Sequence, residues 1–153
     1  MGSEMCIRDS RLIDMGVQPF LIASSLAGVL AQRLIRTLCN DCKEAYAPSD
    51  YDFQMLDVHS MPKEATLYKP KGCPKCNYLG YAGMTVVSEL LIMTDDIRPL
   101  VLKKADANTV KKMAMKNGMK SLRQDALEKV FKGITSVEEM VRAINEEDEE
   151  SQH

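Results

Sequence analysis

Leu38-Cys39-Asn40-Asp41-Cys42 is answered thirty residues later by Gly72-Cys73-Pro74-Lys75-Cys76, and these two Cys-x-x-Cys turns decide how the chain is read. Each is a tight-turn sequence whose backbone can wrap one ion and aim both sulfurs at it, which is how tetrahedral zinc is held. One pair alone would leave redox chemistry, metal binding and coincidence open. Two matched pairs make a structural four-thiolate zinc site of Cys39, Cys42, Cys73 and Cys76 the first reading. Disulfides are the competing account; no secretory signal is visible, and paired thiols in a reducing compartment are more often ligands. Neither pair opens a helix after a buried strand, which argues against a thioredoxin-like motif. His59 is the only histidine near the cysteines, but four thiolates already saturate zinc.

Around the cysteines, residues 39–83 are punctuated by Pro48, Pro62, Pro70, Pro74, Gly72, Gly80 and Gly83, so they read as a module of turns and short elements. Such a segment buries little core, and a bound metal supplies the missing stabilisation. Asp52, Asp57 and Glu64 read as its surface acids. Residues 1–10, with Cys6, show no periodicity. Arg11-Leu12-Ile13-Asp14-Met15-Gly16 resembles the end of a helix whose start is missing, with Gly16 as a left-handed stop, which predicts a truncated protein carrying an unrelated leader. From Pro19 a helix is predicted to about Thr37, with Ile22, Leu26, Val29, Leu30 and Leu34 on one stripe.

Beyond the module, Thr85 to Ile92 is β-rich and predicts a strand. Four short helical segments follow. Thr94 is expected to cap the first and Pro99 to weaken it; Asp106 or Asn108 starts the second and Gly118 stops it. Ser121-Leu122-Arg123-Gln124 and Thr135-Ser136-Val137-Glu138 read as capping boxes, with Gly133 closing the helix between them. Leu122, Ala126, Leu127, Val130 and Phe131 form one apolar face and Val137, Met140, Val141 and Ile144 another, which predicts a small helical bundle ending in an acidic disordered tail, 146–153.

The 153 residues are 45% hydrophobic and 27% charged, the composition of a globular protein. A net charge of -2 argues against a dedicated nucleic-acid binder, because phosphate affinity grows with cationic contacts. Residues 15–32 carry no formal charge, but Gln18, Pro19, Ser24, Ser25 and Gln32 interrupt them, so they predict a buried core helix and no membrane span. The cytoplasm is the default location. No Ser/His/Asp or paired-carboxylate arrangement suggests catalysis.

Three runs resemble a known family. Arg11-Leu-Ile-Asp-Met-Gly through Leu26 with Leu30-Ala-Gln-Arg-Leu-Ile-Arg-Thr-Leu-Cys39, then Gly72-Cys-Pro-Lys-Cys-Asn-Tyr-Leu-Gly-Tyr81, then Gly118 to Thr135, are similar to the C-terminal part of the type II secretion and type IV pilus assembly ATPases. The resemblance implies an α/β fragment, mainly α: the tail of a RecA-like P-loop domain at 11–38, a tetracysteine zinc module at 39–83, and a strand with a C-terminal helical subdomain at 84–145. It implies a cytoplasmic homohexamer, peripheral to the inner membrane, that passes ATP-driven motion to a membrane platform or adaptor protein. ATP and magnesium belong to the intact parent. This chain contains no G-x-x-x-x-G-K-[ST], so it cannot cradle a triphosphate in the usual way. The resemblance also places Gln32 and Arg33 on the nucleotide-domain side, as a possible nucleotide or subunit contact; the plainer reading is a solvated pair at a helix end. Met84 and Val86 stand where the family usually has an arginine and a small residue. The alternative is a free zinc ribbon that binds protein, or nucleic acid through Lys43, Lys69, Lys71 and Lys75, although it lacks interleaved aromatics.

Overall fold

The computed structural model describes residues 12–58 and 65–150, with side chains to residue 144. Its order is α1 (Pro19–Ser25), β1 (Gly28–Leu38), β2 (Glu44–Tyr46), α2 (Asp50–Leu56), β3 (Leu67–Lys69), a 3-10 turn (Pro74–Cys76), β4 (Tyr81–Ile92), α3 (Arg98–Leu102), α4 (Ala107–Lys116), α5 (Leu122–Phe131) and α6 (Val137–Glu150). This is a small α/β protein with more helix than strand. β1 pairs with β4, and β2 pairs antiparallel with β3 in the register Glu44↔Lys69, Ala45↔Tyr68, Tyr46↔Leu67.

The long helix expected from Pro19 to Thr37 is corrected to one short helix and a strand. α1 ends at Ser25, Leu26 is already extended, and β1 begins at Gly28. The physical reason is β4. A strand needs a ladder partner for its N–H and C=O groups, and a Cβ on Gly28 would lie 2.6 Å from the Leu91 carbonyl oxygen, so the backbones approach where only glycine fits. Alternation then replaces the helical stripe: Ala31 and Ile35 are fully buried, while Leu30 and Leu34 are 50% and 60% exposed.

Two compact units result, each from two separated stretches of chain. The first takes residues 12–32 and 88–122. Its hydrophobic core gathers Ile22 and Ala23 of α1, Leu91, Met93, Ile97 and Val101 around α3, and Val110 and Ala114 of α4; the unit also buries Glu89, which accepts the Leu122 N–H at 3.2 Å, and Ser121. Asp106 caps α4 through Thr109 N–H at 3.1 Å, as expected, and Gly118 follows it at φ 94°. Thr94 does not cap α3 with its side chain; its carbonyl accepts from Ile97 and Arg98, and Pro99 sits harmlessly in the first turn, where its missing N–H is not needed.

The second unit takes residues 33–87 and 123–150. Here the predicted capping box at Thr135 moves by one: Ser136 Oγ accepts Glu139 N–H at 3.2 Å, and Thr135 Oγ1 instead donates to the Arg36 carbonyl at 2.8 Å. α2 went unpredicted. Ser49 and Asp52 form its reciprocal cap, which buries Asp52, so that residue is a structural acid and not a surface one. His59, Glu64, Cys6, the leader 1–10 and residues 151–153 of the tail lie outside the described residues. Among the described residues no helix is long and apolar enough to cross a membrane.

Candidate metal centre

The first knuckle turns back on itself at Cys39, whose carbonyl accepts from Cys42 N–H at 3.3 Å and Lys43 N–H at 2.9 Å. The second repeats the device. Pro74 starts the 3-10 turn, the Cys73 carbonyl accepts from Cys76 at 3.1 Å and Tyr78 at 2.9 Å, and Asn77 and Tyr78 take left-handed φ of 50° and 61°. Gly72, at φ 99°, has no room for a side chain: a Cβ there would meet the Tyr78 carbonyl oxygen at 2.6 Å. Cys39 N–H donates to the Gly80 carbonyl at 3.0 Å, tying one knuckle to the other.

The four sulfurs lie within 4.8 Å of one another. Cys39 and Cys73 are 3.9 Å apart, Cys42 and Cys76 3.8 Å, and Cys73 and Cys76 3.8 Å. A tetrahedral ion bonded to four thiolates at ~2.3 Å separates the sulfurs by about 3.8 Å, whereas a disulfide would bring them to ~2.05 Å. The cage therefore has the dimensions of a zinc tetrathiolate, and all four cysteines are free of disulfides. Cys39, Cys42 and Cys76 are buried and Cys73 is half-buried.

The electrostatics are uneven. Burial pushes the Cys42 thiol up to about 12, with the Gly72 N–H working against it. Burial also acts to raise Cys76, but the N–H groups of Cys73 and Gly80, each 3.2 Å from its sulfur, overcome that and bring it down to about 6. The two sulfurs thus differ in how readily each gives up its proton, and a metal would bind both as thiolates.

Two ion pairs flank the cage, Lys71–Glu44 and Lys75–Asp41, both at 2.5 Å. Lys43 donates to the Gly133 carbonyl at 2.8 Å and lies 5.0 Å from the Tyr68 ring centroid. Three of the four lysines expected to meet phosphate in the alternative reading are therefore engaged within the protein, and that reading is not favoured.

Beyond the cysteines, sequence reasoning missed a buried anion. Glu139 accepts from Arg36 N–H at 2.9 Å, from Arg36 Nε and Nη2 at 2.8 and 2.6 Å, and from Arg142 Nη2 at 2.7 Å, while its side chain is wholly inaccessible. Burial acts to raise its pKa, but the two guanidinium groups and the Arg36 N–H bring it down to about 2. Arg36 also stacks 4.2 Å from the Tyr81 ring centroid, and Tyr81 Oη shares a 2.7 Å hydrogen bond with Ser136. The only sequence signal was Ser136 three residues before a glutamate. Gln32 and Arg33 are not brought to this site; they occupy the middle of β1, six or more residues before Cys39, so the helix-end dipole does not apply to them.

Comparison with known proteins places these features. The profile of the family described as "Type II/IV secretion system protein" matches residues 7–142. The chain is 47% identical over 138 residues to the type II secretion system ATPase E of Vibrio cholerae, and 44% identical over 138 residues to the type II secretion system protein E of Dickeya dadantii. Each alignment covers 90% of this chain and 27% of the relative. It is also 40% identical over 133 residues to the type IV pilus assembly ATPase PilB of Thermus thermophilus, covering 86% of this chain and 15% of that protein. The chain spans about a quarter of the length of the secretion proteins it matches, and over nearly all of its own length it belongs to the type II/IV secretion system protein family.

Proposed function

We propose that this chain is the C-terminal part of a cytoplasmic hexameric ATPase that powers type II protein secretion or type IV pilus assembly. The observation that carries the reading is the family match over residues 7–142 together with relatives described as secretion and pilus ATPases. Within such a motor, residues 11–38 close a RecA-like nucleotide domain, residues 39–83 form a zinc-stapled module, and residues 84–145 add the helical subdomain. Cys39, Cys42, Cys73 and Cys76 hold zinc, whose chemistry here is structural: four thiolates leave it no open position for substrate. A metal-stapled module presents a rigid surface from a short stretch of chain, which suits contact with an inner-membrane platform or adaptor. ATP and magnesium act in the intact parent, with Gln32 and Arg33 on its nucleotide or subunit side.

Phosphoryl transfer needs a phosphate cradle, and the sequence holds none, so this chain by itself does not hydrolyse ATP. The test is a graft: this chain replaces the corresponding region of a type II secretion ATPase, and secretion is measured in the host strain. Secretion retained by the graft and lost on Cys39→Ser supports the reading. A graft that folds, binds ATP and zinc, and supports neither secretion nor pilus extension overturns it.

A further inference from the structure

We propose that Cys73 is the labile ligand of the metal centre, the place where soft electrophiles and thiol oxidants attack and from which the metal is released. This rests on the reading of the cage as a zinc site. Access singles out Cys73: Cys39, Cys42 and Cys76 are 2%, 8% and 5% exposed, whereas Cys73 is only half-buried at the rim of the second knuckle. Backbone N–H groups reach three of the sulfurs, Cys73 and Gly80 donating to Cys76, Gly72 to Cys42 and Cys76 to Cys73. Exposure is therefore what separates Cys73 from the other ligands.

The chemistry follows. With a maleimide, the Cys73 sulfur adds to the C=C bond, an S–C bond forms as the π bond breaks, and the neighbouring carbon takes a proton from water. The thioether that results is a poor ligand, and a metal on three thiolates is lost to a competing chelator. With hydrogen peroxide, Cys73 attacks one oxygen to give a sulfenic acid and water. The sulfur of Cys39 or Cys76, at 3.9 and 3.8 Å, then displaces the second oxygen as water to close a disulfide. Two thiols are oxidised and one peroxide is reduced to two waters.

The experiment treats the zinc-loaded Cys6→Ser chain, whose only cysteines are the four of the cage, with substoichiometric N-ethylmaleimide while a chromogenic chelator reports free zinc, then maps the label by peptide mass spectrometry. Cys73 should be labelled at least ~10-fold faster than Cys39, Cys42 or Cys76, as expected when access favours it, with one zinc released per label. Cys73→His, which keeps a Cys3His ligand set and so the fold, should abolish the fast phase of release. Label that starts at another cysteine, or zinc that leaves before Cys73 is modified, overturns the proposal alone. A chain found to hold no zinc before the reagent is added refutes the metal reading and the proposal with it.

Discussion

The unit made of residues 12–32 and 88–122 and the unit made of residues 33–87 and 123–150 share the same two long strands, yet different forces hold them. The first has an apolar core from Ile22 to Ala114, with Glu89 and Ser121 buried in the same unit. The second buries Ile35, Leu56, Leu67, Val130 and Met140, but also Asp52, Thr135, Ser136 and Glu139, and its short strands and turns surround four sulfurs. Apolar burial tolerates almost any solvent condition short of denaturant. Thiolates answer to chelators and oxidants. The two units should therefore differ most in their response to those reagents.

Stripping the metal is the harshest way to test that contrast, since structural zinc contributes ~10–16 kcal/mol of apparent binding energy in small modules. Chelation, or Cys76→Ser, should abolish amide protection in residues 39–83 and, through Lys43–Gly133, loosen the start of α6, while residues 88–122 stay protected; hydrogen exchange reads both. Loss of protection throughout would erase the distinction. The complementary cut is Ile97→Ala, a core truncation expected to cost about 4 kcal/mol in denaturant unfolding of the first unit, with zinc content unchanged.

Glu139→Gln should cost about 3 kcal/mol, the scale for breaking a buried charge network, and the unfolding should report on the second unit. Its pH signature is specific. The folded pKa is depressed to about 2, so the stabilisation is present in full above the ordinary carboxylate value of ~4.3 and is lost as pH falls towards 2. The wild type should weaken over that window, and the variant should lack that part of the slope. Ser136→Ala is the mildest test, losing a helix cap and the Tyr81 hydrogen bond for ~1–2 kcal/mol, with the metal retained.

Much of this was legible from local chemistry. The two knuckles, the Asp106 cap and the glycine stops at 118 and 133 are each specified by a few adjacent residues, and the structure has them in place. What escaped depends on residues far apart. Residues 28–38 carry apolar side chains on both faces, so a period of 2 and a period of 3.6 fit them equally well, and only the ladder to β4 decides between them. Asp52 looked solvated because its partners, Tyr46 and Ser49, act through a cap with aspartate at the third position instead of the usual glutamate or glutamine. Glu139 looked like one acid among many, since Arg36 precedes it by 103 residues.

That separation of 103 residues also governs the order in which the molecule can be assembled during synthesis. Cys39 and Cys42 emerge first and wait for Cys73 and Cys76, and Arg36 waits for Glu139 near the end of the chain. Long-range closures of this kind are slow, because the loop entropy is lost before the contact forms. A nascent chain has all four cysteines of the cage before Glu139 arrives to pair with Arg36, so on the zinc reading proposed above metal capture can precede the closing of that ion pair.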